Sequence, residues 1–349
     1  MSGAHWRQRS RGWLALGAAI LFAIMGAAAA GAETPARLSI KVGASDRPDQ
    51  AALYLAFYRG YFAKQGLDVE LIPSVTGADF LAGLGMNQIQ ATTSSITAAL
   101  FNALNRGIDI RIVADYARVG TERDQTAAIV ARADLFDTGT LRKPGDLKDR
   151  VIAAGPVRAQ LPELVYRKVL ATGSLAPADV TFRYLGFPDS LAALATKNID
   201  VAFLIEPLVT QADRQNVARV LLPLSAVIPG AELSVLQYSK EFAADTDAAT
   251  RFMVAYLQGV RDFYDATWLH KDEDAAIALL IEHLSLKDRS LWGVMRRNAD
   301  LNGRINVPSI KEQAAFYKEQ GTVTGDVPDI DKFIDPRFAE AAVKIVGTR

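Results

Sequence analysis

The sequence predicts an α/β chain built as two lobes, and three observations carry that expectation. Strand-like and helix-like segments alternate from residue 38 onward, which favours mostly parallel sheets with helices on both faces. The layout of the first series then recurs. Asp68-Val69 opens a strand and Ile89-Gln90-Ala91 follows a helix, and Asp179-Val180 with Ile199-Asp200-Val201 repeats this roughly 110 residues later. Beyond Ser239 the periodicity turns helical, over 246–268, 272–284, 288–300 and 309–320.

Composition narrows the function classes. The chain has 349 residues, half of them apolar, with 39 basic residues against 39 acidic ones. That length can bury a large core, and the charge balance gives no electrostatic footprint for nucleic acid. Cysteine is absent, which removes disulfides, thiolate zinc sites, iron–sulfur clusters and cysteine nucleophiles together.

Residues 1–32 read as a cleavable signal peptide. Arg7, Arg9 and Arg11 form a basic start without acids, Trp13 to Ala30 is an apolar run, and Ala30-Gly31-Ala32 is the small-x-small cleavage pattern. Removing this segment takes away three arginines and no acid, so the remainder is slightly acidic. Without a cysteine there is no lipid-acceptor site, so a periplasmic protein that is not lipid-anchored is expected.

The elements follow in order. Leu38 to Gly43 alternates as a strand, and Asp49 to Gln65 reads as a helix with Leu53, Phe57 and Tyr61 four apart and Gly66 as its stop. Strands are expected at Val69–Val75 and Ile89–Thr93, with helices at Asp79–Met86 and Ser95–Asn105. Ile110–Ala114 and Ala127–Ala131 are further strands of this series. The loop with Gly139, Pro144 and Gly145 opens the second series: strands at Val151–Ala154, Val180–Leu185 and Val201–Ile205, and helices at Pro162–Ala171 and Ser190–Lys197.

These segments resemble a known family. Tyr58–Glu70 (YRGYFAKQGLDVE) is similar to the G-[YL]-F-x-x-x-G-L-D-V segment of the periplasmic substrate-binding proteins of ABC transporters, in the branch serving nitrate, sulfonates, taurine and thiamine-precursor pyrimidines. Asp146–Ala154 resembles its D-L-K-G-K entry into the second lobe, and Asn198–Ala202 with Glu206-Pro207 its I-D-A…E-P pattern. Gly321-x-Val and Phe333–Phe338 are similar to its closing segment. Gln90 stands where the family usually has Asp, and Asp149 where it has Gly.

The resemblance implies a two-lobed, type II periplasmic-binding fold, each lobe a mostly parallel sheet flanked by helices, with a helical C-terminal region. It places lobe 1 at 33–140, lobe 2 at 141–225 and a return to lobe 1 at 226–349. It implies a monomeric carrier with a small-molecule solute in the interlobe cleft and an ABC permease as docking partner, with no cofactor and no nucleic acid.

Ligands of open α/β sheets sit beyond strand C-termini. That rule selects Ser45, Asp46 and Arg47 after the first strand, Thr76 and Gly77 after the second, and Ser94 and Ser95 after the third. In the second lobe it selects Arg158 and Glu206. The serines either hold an anionic oxygen or cap the following helix. Arg47 and Arg158 suit a two-pronged contact to a sulfonate or carboxylate. Glu206 suits an amine or a structural role at the hinge side of the cleft. Arg118 and Arg123 read as surface residues.

No catalytic residue and no metal set is expected. His270 and His283 fall on the helical C-terminal region, and no His-Glu-x-x-His, Gly-x-Ser-x-Gly or P-loop occurs. The expected solute is a small anion or zwitterion of the sulfonate, nitrate or taurine kind. The alternatives are an aromatic or pyrimidine ligand, or a same-fold enzyme acting on such a thiamine precursor.

Overall fold

A computed structural model describes residues 37–73, 77–120, 126–296 and 298–349. The expected signal peptide, Thr76 and Arg123 lie outside the described residues. Ten strands form two five-stranded sheets. The first contains β1 (Leu38–Ala44), β2 (Leu67–Pro73), β3 (Ala91–Ser95), β4 (Ile110–Arg118) and β10 (Glu232–Ser239), in the order β2-β1-β3-β10-β4. The second contains β5 (Ala127–Arg132), β6 (Val151–Ala153), β7 (Thr181–Arg183), β8 (Val201–Ile205) and β9 (Ala218–Pro223), in the order β7-β6-β8-β5-β9.

The sheets are mixed in a specific way. β1 pairs in parallel with β2 and β3, while β10 runs antiparallel between β3 and β4. In the second sheet β6 pairs in parallel with β7 and β8, while β5 runs antiparallel between β8 and β9. Each sheet thus holds one reversed strand, delivered by the chain as it crosses from the other lobe. β5, expected with the first series, pairs in the second sheet for this reason. β9 and β10 carry no clean alternation, because β10 is buried on both faces and holds Glu232, Ser234 and Gln237 in the interior.

The internal repeat is visible in hydrogen bonds. Gln90 and Asp200 occupy equivalent positions ahead of β3 and β8. Gln90 Oε1 accepts from the Lys41 N–H at 2.8 Å, and Asp200 Oδ2 accepts from the Val151 N–H at 3.0 Å. Their own N–H groups return to the carbonyls of Lys41 and Val151, both at 2.8 Å. A longer amide therefore performs in lobe 1 the task that a carboxylate performs in lobe 2. Asp149, at the usual glycine, adopts a left-handed φ of 60°.

Helices cover both faces of each sheet. On the first, Ala51–Tyr58, Thr246–Trp268 and Arg337–Val346 pack one face around Leu53, Phe252, Tyr256 and Phe338. Gly77–Gly85, Ala98–Asn105 and Val307–Glu319 pack the other around Leu84, Phe101 and Tyr317. Gly259 permits the closest crossing: a Cβ there would overlap the Ala52 carbonyl and sit 2.7 Å from Ala56 Cβ. The helix expected over 288–300 stops at Trp292. Gly293 follows, and the chain then bonds to β4, with Arg118 N–H donating to Asn298 O at 3.0 Å and Asp115 N–H to Gly303 O at 3.2 Å.

Where β4 leaves the first sheet and β10 returns to it, two carboxyl groups meet. Asp115 and Glu232 are fully buried. Asp115 Oδ1 and Glu232 Oε1 have no hydrogen-bond partner, and the charge of Asp115 acts on Glu232. Two buried carboxylates that repel one another favour the protonated form of one of them. Burial, then the negative charge of Asp115, pushes Glu232 up to about 10, and burial raises Asp115 as well. Asn306 N–H donates to Glu232 Oε2 at 2.6 Å, Arg118 Nε donates to Asp115 Oδ2 at 2.9 Å, and Asp300 N–H also bonds to that oxygen. Arg118, expected on the surface, is therefore half-buried and serves this cluster.

The sign of the pH effect follows. The unfolded chain releases the Glu232 proton in the ordinary carboxylate range, whereas the folded chain keeps it to about 10. Between those limits the folded state holds the extra proton, so this group's stability contribution falls by about 1.4 kcal/mol per pH unit as pH rises. Glu232→Gln supplies a permanent donor to Asp115 and still accepts from Asn306. Its melting temperature should exceed that of the wild type at pH 8–9, with a smaller difference near pH 5. A variant that melts lower at every pH would show that Glu232 holds no such proton.

Candidate functional site

The parallel strands of each sheet end along one edge, and the predicted residues collect there. In lobe 1, β1 leads into Ser45–Arg47, β2 into the helix opened by Gly77, and β3 ends at Ser95. In lobe 2, β6 leads into residues 154–160 with Arg158, and β8 leads into Glu206.

Local contacts sort these residues. Arg47 is exposed, but its Nε donates to Asp49 Oδ1 at 2.9 Å and its Nη2 pairs with Asp49 Oδ2. That hydrogen bond and charge raise its pKa and leave its positive charge matched. Asp46 keeps an exposed carboxylate, while its carbonyl accepts from Ser285 N–H at 2.7 Å. Ser94 Oγ donates to Gln237 Oε1 at 3.0 Å, so it braces β3 against β10. The helix expected from Ser95 begins at Ala98 with Thr97 as its N-cap residue, and neither serine caps it. Ser95 is exposed.

In lobe 2, Glu206 is buried and both its oxygens are engaged, by Thr210 N–H and Thr210 Oγ1, each at 3.0 Å. It caps the helix Leu208–Arg214. Burial raises its pKa against the opposing pull of those hydrogen bonds. Arg158 differs from Arg47: it is exposed and its guanidinium forms no hydrogen bond or ion pair among the described residues. Val157, on the same loop, and Ile205, at the end of β8, are exposed apolar side chains.

Contacts that sequence reasoning missed join the two lobes. Arg214, at the end of the helix capped by Glu206, donates to Ser290 Oγ at 3.2 Å. Ser290 lies on Arg289–Trp292, five residues past the Ser285 that binds Asp46. Arg167 Nη2 donates to Gln320 Oε1 at 2.8 Å, and Lys168 Nζ to Glu312 Oε1 at 2.5 Å. No local pattern marks these residues as partners, since each pair lies more than 70 residues apart in sequence. A separate pocket of lobe 1, lined by Asp49, Ala52, Tyr116, Phe263, Tyr264 and Leu301, includes none of the predicted ligand residues.

Two lobes that exchange a strand, each presenting its strand ends, define a type II periplasmic-binding fold. The chain belongs to the NMT1/THI5-like family, whose model, described as "NMT1/THI5 like", matches residues 47–266. Among curated proteins, none matches the chain by sequence. Among solved structures it is similar to the periplasmic aliphatic sulphonate binding protein of Escherichia coli, at 16% identity and a TM-score of 0.67, covering 85% of this chain and 97% of that one. It is also similar to the periplasmic nitrate-binding protein of Synechocystis PCC 6803, at 13% identity and a TM-score of 0.69, covering 89% of each chain. A desulfurization enzyme shares the fold at 15% identity and a TM-score of 0.62, covering 89% of this chain and all of the other. At these identities the likeness establishes the fold.

The geometry makes Glu206 a helix cap. Glu206→Ala should destabilise the protein by about 1–2 kcal/mol, the cost of a lost N-terminal cap. Glu206→Gln, which still accepts from Thr210, should lose less than half of that. Denaturant melts measure both; equal losses would mean that the capping geometry is not what holds this residue.

Proposed function

We propose that this chain is the periplasmic solute-binding component of an ABC importer, capturing a small anionic or zwitterionic solute between its lobes. The observation that carries this reading is Arg158. A guanidinium exposed at the strand-end edge, with no protein carboxylate to neutralise it, suits an incoming sulfonate, carboxylate or nitrate. Ser95 and Ser45 on lobe 1 offer hydroxyls to the same group. Asp46 offers a carboxylate to the amine of a zwitterion of the taurine kind. Val157 and Ile205 give an apolar body a wall to lie against.

Capture requires no bond to be made or broken. A solute that touches both strand-end edges favours whichever arrangement brings them together, so binding shifts an open–closed equilibrium. The complex then docks on a membrane permease. Among the described residues no helix is long and apolar enough to cross a membrane. A cleavable signal, a monomeric state and a periplasmic site without a lipid anchor complete the reading.

The test is a thermal-shift panel with nitrate, taurine, hexanesulfonate, benzoate and an aminopyrimidine. A ligand at 100 times its Kd should stabilise the fold by about 2.7 kcal/mol. Arg158→Ala should weaken binding of the stabilising anion by about tenfold or more, the value of a charge-assisted hydrogen bond. Stabilisation by the aminopyrimidine alone would refute the anion reading, and conversion of a stabilising compound into a new product would refute solute binding.

A further inference from the structure

The loop that presents Arg158 is held in an unusual shape. It opens at Gly155, with φ of 80°, and closes at Ala159, an alanine held in the left-handed region at 54° and almost fully buried. Left-handed alanine is disfavoured by contact between Cβ and the following carbonyl, so something must hold it. The hold is Glu163, a carboxylate only 2% exposed, whose Oε2 accepts from the Ala159 N–H at 2.8 Å. Tyr184 hydroxyl donates to the same oxygen at 3.1 Å, and Arg167 Nη2 donates to Oε1 at 3.1 Å.

Arg167 does not stop there. The same Nη2 donates to Gln320 Oε1 at 2.8 Å, on the other lobe, and the guanidinium lies 5.7 Å from the Phe316 ring centre. Leu161 and Leu164, from the same helix, pack into the lobe 1 core beside Ile310 and Tyr317. A continuous series therefore runs from the Arg158 loop through the Ala159 N–H, Glu163 and Arg167 to Gln320. A buried carboxylate needs its counter-charge, so what moves Arg167 is felt at Glu163.

We propose that Glu163 is the positioning residue of the Arg158 loop and that Arg167 couples this loop to lobe 1 through Gln320. The loop then keeps its shape only while the two lobes stand as they do here. A displacement of lobe 1 withdraws Gln320, frees Arg167 and loosens the hold on Ala159. The ligand-binding part of this inference rests on the proposed role of Arg158; the coupling itself does not.

Two variants of Gln320 test the coupling without ligand, because Gln320 lies outside the loop and outside lobe 2. Exchange of the Ala159 amide hydrogen should speed up by about threefold to tenfold in Gln320→Ala, the range of one lost hydrogen bond. Strands β6 and β8 should keep wild-type rates. Gln320→Glu, which keeps an acceptor for Arg167, should restore the slow exchange. Glu163→Gln should speed exchange of this amide further. Ala159 exchange unchanged in Gln320→Ala, or raised equally in Gln320→Glu, would overturn the proposal, even if Glu163→Gln fails to fold. In a second arm, an anion of the panel that stabilises the wild type should bind Gln320→Ala more weakly while the ligand-free melting temperature barely changes. If none of those anions binds the wild type, the solute-binding reading falls, and the exchange data still decide the coupling.

Discussion

The structure depends on one constraint: each sheet is completed by a strand that arrives from the other lobe. β10 lies between β3 and β4, inside the first sheet, so that sheet cannot close until the chain has traversed the second lobe. β5 lies between β8 and β9 and is delivered by the outgoing crossing. Two antiparallel strands in otherwise parallel sheets are the result. Residues 224–231 join β9 to β10 on the return to the first sheet. The Asp115–Glu232 pair sits where both crossings meet lobe 1, and it fastens the last residue pairs of β4 and β10 to the segment 298–306.

The same topology sets the chemistry available to a solute. Parallel strands bring their C-terminal ends to one edge, and the loops there carry the polar residues. Yet most of those residues already have partners. Arg47 is matched by Asp49, Ser94 by Gln237 and Glu206 by Thr210. Of the two cations predicted for the site, Arg158 is the one exposed without such a match. An anion that meets Arg158 gains a contact that no protein group must give up, whereas an anion drawn to Arg47 competes with a carboxylate already in place. This difference, and not the number of basic residues at the edge, favours one cation as the anchor.

How much of this was legible in the sequence depends on the range of the interaction. Elements fixed by local periodicity and glycine stops appear where expected, as at Thr246–Trp268 and Val201–Ile205. The repeat seen in Ile89-Gln90-Ala91 and Ile199-Asp200-Val201 proves to be a shared backbone clamp. The repeat suggested two lobes, and the family resemblance added the return of the chain to the first, which periodicity could not give, since β10 owes its place to pairing with residues more than 110 positions away. The site was less legible. Spacing identifies Arg47 and Arg158 as equals, and only the Asp49 side chain separates them. Glu163 and Arg167 stand four apart on a helix, a pattern that usually marks a solvated pair. The burial of Glu163, and the reach of Arg167 to Gln320, come from the packing of lobe 2 on the C-terminal helices.

The central claim is that the lobes close on a small anion anchored by Arg158. Small-angle X-ray scattering of the purified protein, with and without a stabilising anion at saturation, tests it most directly. The account requires the radius of gyration to fall on addition of the anion, and the same addition to leave Arg158→Ala unchanged at that concentration. An unchanged radius in the ligand-bound wild type, or an equal contraction in Arg158→Ala, would contradict it.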